Sequence, residues 1–318
     1  MSALISGLHH ITYLTSGAQD DYDFYTRVLG QTLIKKTVFY EGDFPRYHLY
    51  FSSDAIGAPG GVTTTISMPG VPEETSGRTP SMIIAYAVPG NALEAWQRHL
   101  QGHGIEHGPI ETRFGERRLR VRRGLIELDL VEAPSDIRKP NPSPHIDQSI
   151  AILGFHGITI PAGDPNAMGA FLTAAWDCET GDVDGSFTRY QQNGGGPAAV
   201  IDVWHVADMI AGGWECPPGN MHHAAFAVAD DAAQLRTLER LDSRGYADTR
   251  PPVHRGYFRS IYVRTPAGAI VEAATSDIGF LRDESRSELG LKLKLPPFFE
   301  ERRDEFVETL RKIDPLVI

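Results

Sequence analysis

Three residues of this 318-residue chain have side chains suited to holding a metal: His10, His223 and Glu272. They lie far apart in sequence, yet each stands at the beginning or end of a strand-like run. His10 opens His10-Ile11-Thr12-Tyr13, His223 opens His223-Ala224-Ala225-Phe226, and Glu272 closes Ala269-Ile270-Val271-Glu272. Two neutral imidazoles and one carboxylate on one side of a divalent ion leave its other side open. That arrangement suits Fe(II) holding a substrate and O2 together, and manganese, nickel and zinc accept the same donors. Strand alternation puts Glu272 on one face with Ile270 and Ala274, where an ionised carboxylate is costly without a cation.

The neighbours of these residues suggest supporting roles. Thr12 lies two residues after His10 and shares its face of the strand. His9 and His222 adjoin the two histidines, and strict alternation would turn both away from the metal. They begin their strands, however, where the chain can bend. Tyr257, Phe258 and Trp214 are candidates for an aromatic pocket wall, and equally for ordinary core.

The elements that must bring these residues together come in a repeat. Gly7-Leu8-His9-His10-Ile11-Thr12-Tyr13 aligns with Gly154-Phe155-His156-Gly157-Ile158-Thr159-Ile160. Each copy leads into a helical pattern, 20–29 with Tyr22, Tyr25, Val28 and Leu29, and 166–176 with Met168, Phe171, Leu172 and Ala175. Two further units start the same way, with strands at 82–88 and 221–228 and helices at 92–99 and 231–244. Short strands follow in every unit: 33–40, 47–52 and 62–67 in the first, 119–121 and 125–130 in the second, 187–191 and 198–203 in the third, 260–263 and 269–273 in the fourth. A turn is expected at Thr265-Pro266-Ala267-Gly268. The fold class is therefore α+β, with four βαβββ units paired into two half-open cups. The expected division is an N-terminal pair at 1–134, a proline-rich linker at 135–148, a C-terminal pair at 149–280, and an extension at 281–318. An apolar stripe at Phe299, Phe306, Leu310 and Ile313 predicts a packed terminal helix.

Composition excludes several roles. A net charge of −11 argues against nucleic-acid and anionic-membrane partners. No run is long and apolar enough to span a bilayer, and Met1-Ser2-Ala3-Leu4-Ile5 lacks the features of a secretory signal. The two cysteines, Cys178 and Cys216, form no disulfide framework or CxxC pair, so a reducing cytoplasm is expected. The glycine run 194–196 lacks the strand–loop–helix setting of a phosphate cradle. The basic run Arg117-Arg118-Leu119-Arg120-Val121-Arg122-Arg123 reads as a solvated strand edge.

Four segments carry a family resemblance: Leu8-His9-His10-Ile11-Thr12, Tyr22-Asp23-Phe24-Tyr25, Met221-His222-His223 and the run RGYFRSIY from Arg255 to Tyr262. Along nearly its whole length the chain resembles the vicinal oxygen chelate superfamily of glyoxalases, bleomycin-resistance proteins and extradiol dioxygenases. Within it, the two His-His pairs resemble the hydroquinone-type ring-cleaving dioxygenases. The resemblance implies an Fe(II) enzyme that opens a hydroquinone or catechol ring with O2. It implies proton transfer by His222, more weakly by His9, and places Arg255 and Tyr262 beside the substrate. An arginine brings a permanent charge for a phenolate, and a tyrosine brings a donor hydroxyl.

The repeat supplies an internal control. Gly157 stands at the His10 position, Ile83 at the His223 position and, with Gly124 aligned to Gly268, Leu128 at the Glu272 position. One metal per chain is expected, in a cup made by the first and fourth units. Other readings stay open on the residues alone: a glyoxalase-like isomerase or lyase using nickel or zinc, or a protein that binds aromatic compounds. Assembly into a homo-oligomer is also open.

Overall fold

The first unit runs β1 (Ile5–Thr15), α1 (Ala18–Asp23), a π-helical turn (Phe24–Val28), β2 (Thr32–Val38), β3 (Tyr47–Ser52) and β4 (Val62–Ser67). The second is β5 (Ile83–Val88), α2 (Leu93–Gly102), β6 (Glu106–Arg113), β7 (Glu116–Arg123) and β8 (Ile126–Glu132). The third is β9 (Gly154–Ala162), α3 (Pro165–Ala175), β10 (Cys178–Asp184), β11 (Phe187–Gln192) and β12 (Val200–His205). The fourth is β13 (Asn220–Val228), α4 (Asp231–Ser243), β14 (Val253–His254), β15 (Arg259–Arg264) and β16 (Ile270–Thr275). This computed structural model describes residues 3–39, 45–74, 80–246, 248–249 and 251–314. Met1, Ser2 and Tyr40, which enter the sequence reading, lie outside them.

The helices form where the apolar spacing places them. In α2 the buried residues are Leu93, Trp96 and Leu100, one stripe at helical spacing. In α3 Pro165 occupies the first turn, and the Asp164 carboxylate accepts from the N–H groups of Asn166 and Ala167, both at 3.0 Å. Asp230 caps α4 through the Ala233 N–H at 2.8 Å. The expected turn is present, with Gly268 N–H donating to Thr265 O at 2.8 Å. Gly268 has φ +80, and a Cβ there would collide with the backbone of Gly212, so glycine is required.

The strands make two eight-stranded sheets, each curled into a half-open cup. One is ordered β14-β15-β16-β13-β1-β4-β3-β2, the other β10-β11-β12-β9-β5-β8-β7-β6. The first unit therefore pairs with the fourth, and the second with the third. This is the pairing expected for the cup of the first and fourth units; the stretches 1–134 and 149–280 are halves of the sequence and not units of sheet pairing, since each cup draws on both. The seam of the first cup is β1 against β13, antiparallel; β4 and β16 flank it in parallel.

The linker is also a strap. Arg138 donates to Gly60 O at 3.2 Å and Phe155 O at 2.7 Å, joining the loop before β4 of one sheet to β9 of the other. At the far edge, Lys35 of β2 is fully buried and ion-paired to Asp283, at 2.7 Å, and to Glu284. The tail ends in a 3-10 turn (Pro297–Arg302) and α5 (Arg303–Thr309). Phe306 and Leu310 pack there on Val38 and Leu295, as their stripe predicts.

The basic run is not a solvated edge. Its strand, β7, lies between β6 and β8, and Arg118 is 5% exposed. Arg113, Arg118 and Arg120 all reach Asp129, and Arg189 reaches Asp202. An ionic network lines the second cup.

Candidate metal centre

The seam strands set the site. In the β1–β13 register His10 faces Ala225 and Thr12 faces His223; in β13–β16, Ala225 faces Glu272. One donor atom from each of His10, His223 and Glu272 falls within 4.8 Å of the others. His10 Nε2 lies 3.6 Å and His223 Nε2 3.0 Å from Glu272 Oε2. All three residues are buried, and Glu272 is 0% exposed.

The carboxylate is held from one side only. Ser260 donates its hydroxyl to Glu272 Oε1, while Oε2 has no hydrogen-bond partner. A buried, unpartnered carboxylate oxygen is a costly group in a native fold. Burial lowers the pKa of His10 well below the ordinary histidine range, and Glu272 opposes this less strongly. Burial, with Arg255 adding to it, brings His223 down to about 3. Neutral imidazoles and a carboxylate oxygen with no hydrogen-bond partner fit a divalent transition ion.

Each histidine pair is joined through Nδ1: His9 to His10 at 3.0 Å, His222 to His223 at 2.8 Å. If the Nε2 lone pairs of His10 and His223 serve a metal, their protons sit on Nδ1. The neighbouring imidazole then accepts, which orients the ligand ring. The two neighbours differ in placement. His222 lines the cavity above the site; His9, buried with its pKa lowered to about 4 by burial, is not part of the lining and packs on Phe258 at 5.4 Å.

That cavity holds about 520 Å³ and is lined by aromatic and aliphatic side chains with Thr12, His48, Arg46 and Arg255 among the polar ones. Among the described residues, no carboxylate is on its wall. Tyr262 faces Glu272 across β15 and β16, its ring 5.4 Å from His223 and its hydroxyl accepting from Arg255 Nε at 3.2 Å. Burial raises the Tyr262 pKa above its ordinary value, so the phenol stays protonated. Phe258 and Trp214 line the cavity, but Tyr257 packs behind it against Phe280. Sequence reading missed Ser260, Arg46, His48, Tyr50 and Thr64. Alternation on β3 brings His48 and Tyr50 to the cup face, a signal that only becomes specific once the sheet is assembled.

The second cup confirms the histidine half of the internal control and corrects the rest. In its seam Gly157 faces Ala85 and Thr159 faces Ile83, the register of His10 with Ala225 and Thr12 with His223. Ala85, however, faces Asp129, so Asp129 and not Leu128 stands where Glu272 does. A carboxylate persists there, neutralised by arginines. A Cβ at Gly157 would strike Val200, so no imidazole fits opposite. Among the described residues, His10, His223 and Glu272 are the one group placed to hold a metal.

No protein-family model matches the chain. It is 36% identical, over 99% of its length and 98% of the relative's, to a chlorohydroquinone/hydroquinone 1,2-dioxygenase from Sphingobium indicum. It is 31% identical, over 98% of its length and 97% of the relative's, to MhqO of Bacillus subtilis, a candidate ring-cleaving dioxygenase. A crystal structure of a candidate dioxygenase from Bacillus subtilis superposes with TM-score 0.88 at 28% identity, covering 100% of both chains. Glyoxalase I from Zea mays shares the fold, with TM-score 0.61 at 14% identity over 85% of this chain and 92% of that one. Sharing 36% of its residues with a hydroquinone dioxygenase over nearly its full length, and built from four paired βαβββ units, the chain belongs to the ring-cleaving dioxygenase family and has the fold of glyoxalase I.

Proposed function

We propose that this protein is an Fe(II)-dependent, extradiol-type dioxygenase that opens hydroquinones or catechols, with both atoms of O2 ending in the product. The observation that carries this reading is the unpartnered Glu272 Oε2 between two neutral imidazoles, beneath a largely apolar cavity with room for an aromatic substrate. His10, His223 and Glu272 would hold the iron, which supplies redox coupling between ring and O2 and acidifies a phenolic hydroxyl.

The chain's own residues do the rest. The apolar wall orients the ring and excludes water. Arg255 and the protonated Tyr262 stand together on one side of the site and offset negative charge that develops on substrate oxygen. His222 moves a proton through Nε2, its Nδ1 being engaged by His223. His9 acts only through His10, as an orienting group. Both cysteines are free thiols, which supports a reducing, cytoplasmic setting.

The test is an oxygen-electrode trace on protein purified without air and loaded with Fe(II). O2 uptake on adding a hydroquinone or catechol, with a ring-opened product and none with Zn(II), is the expected outcome. An iron-loaded protein that returns both diols unchanged would remove the oxygenase reading.

A further inference from the structure

A line of hydrogen bonds crosses the floor of the first cup to the metal centre. Tyr50 OH lies 3.2 Å from His48 Nδ1, and His48 Nε2 lies 3.0 Å from Thr64 Oγ1. Thr64 donates its hydroxyl to Thr12 Oγ1 at 2.8 Å, and Thr12 Oγ1 lies 2.9 Å from His223 Nε2.

One donor direction orders the whole line. A hydroxyl has a single proton, and Thr64 spends it on Thr12. Thr64 must therefore accept from His48, which puts the imidazole proton on Nε2. His48 Nδ1 is then the acceptor, and Tyr50 donates to it. Burial keeps His48 neutral, its pKa well below the ordinary range, so both nitrogens cannot donate at once. At the other end Thr12 already accepts from Thr64 and keeps its own proton. A metal taking the Nε2 lone pair of His223 excludes that proton from the imidazole. Thr12 lines the cavity, so its hydroxyl is left to donate there.

We propose that His48 is a positioning residue for ring cleavage: through Thr64 it sets Thr12 as a hydrogen-bond donor to the substrate's phenolic oxygen. This rests on the metal-site reading above only in its last step, since the donor order is a property of the metal-free chain.

The experiment has two arms. Nitrogen-15 NMR of the imidazoles in metal-free wild-type protein should show His48 as the Nε2–H tautomer, and Thr64→Val should disturb it. An Nδ1–H tautomer in the wild type would overturn the proposal whatever the enzyme does. In the iron-loaded protein, His48→Phe should lower kcat roughly 10- to 100-fold with KM and iron content little changed. His48→Gln, whose amide can both donate and accept, should recover most of that loss. An undiminished kcat in His48→Phe would also overturn it, as would a Gln variant no better than Phe. A wild type that holds iron yet consumes no O2 would defeat the dioxygenase reading and leave the NMR arm to judge the donor order alone.

Discussion

Glu272 is the residue on which the site turns, because it brings charge to a strand otherwise made of apolar and small residues. Replacing it with Gln keeps the shape and removes the anion. Iron retained after desalting should fall at least about 10-fold in Glu272→Gln, while Tyr262→Phe should keep its iron and slow turnover roughly 100-fold. Metal analysis beside an oxygen trace separates the two, and an iron-replete Gln variant would refute the ligand assignment. The ligands were legible as residues because imidazole or carboxylate at the end of an apolar run conflicts with local burial. His48 was not, since its significance lies in contacts to Thr64 and Tyr50 on neighbouring strands. Spacing from the turn glycines points to Leu128 where the sheet register puts Asp129, because paired strands need not keep the same distance from their turns.

At the level of elements, the core strands and helices were readable from their apolar periodicity, and the strands missed were β6, β10 and β14. Each lies at an edge of its sheet. β10 is exposed along nearly all its length, β6 carries few buried residues and β14 is two residues long, so none shows the alternation by which a strand is recognised. The C-terminal extension is tied to β2 through Lys35, an ammonium buried with Asp283 and Glu284. Removing one partner of such a group strands the other. Lys35→Met should therefore cost about 3–5 kcal/mol, seen as a lower urea midpoint and faster proteolysis of the tail. An unshifted midpoint would show that the extension adds nothing to the sheet it covers.

For the whole molecule, the buried histidines of the first cup link folding to pH. His9 at about 4 and His48, also lowered by burial, are neutral in the fold, while the unfolded chain protonates them near 6.5. Below that value the unfolded chain binds more protons, so stability is present above the ordinary histidine pKa and is lost as pH falls toward the folded values. The metal-free protein should melt at a lower temperature at about pH 5 than at about pH 7, and equal midpoints would contradict these directions. The sequence by itself determined the four βαβββ units, the three ligand candidates and the family, because local periodicity and residue chemistry are written along the chain. Only the tertiary structure decided the strand order and register within each cup, that arginines line the second one, and that His48 reaches the centre. Strand pairing is a contest among distant segments, settled by which faces bury best together, and no stretch of neighbouring residues records its result.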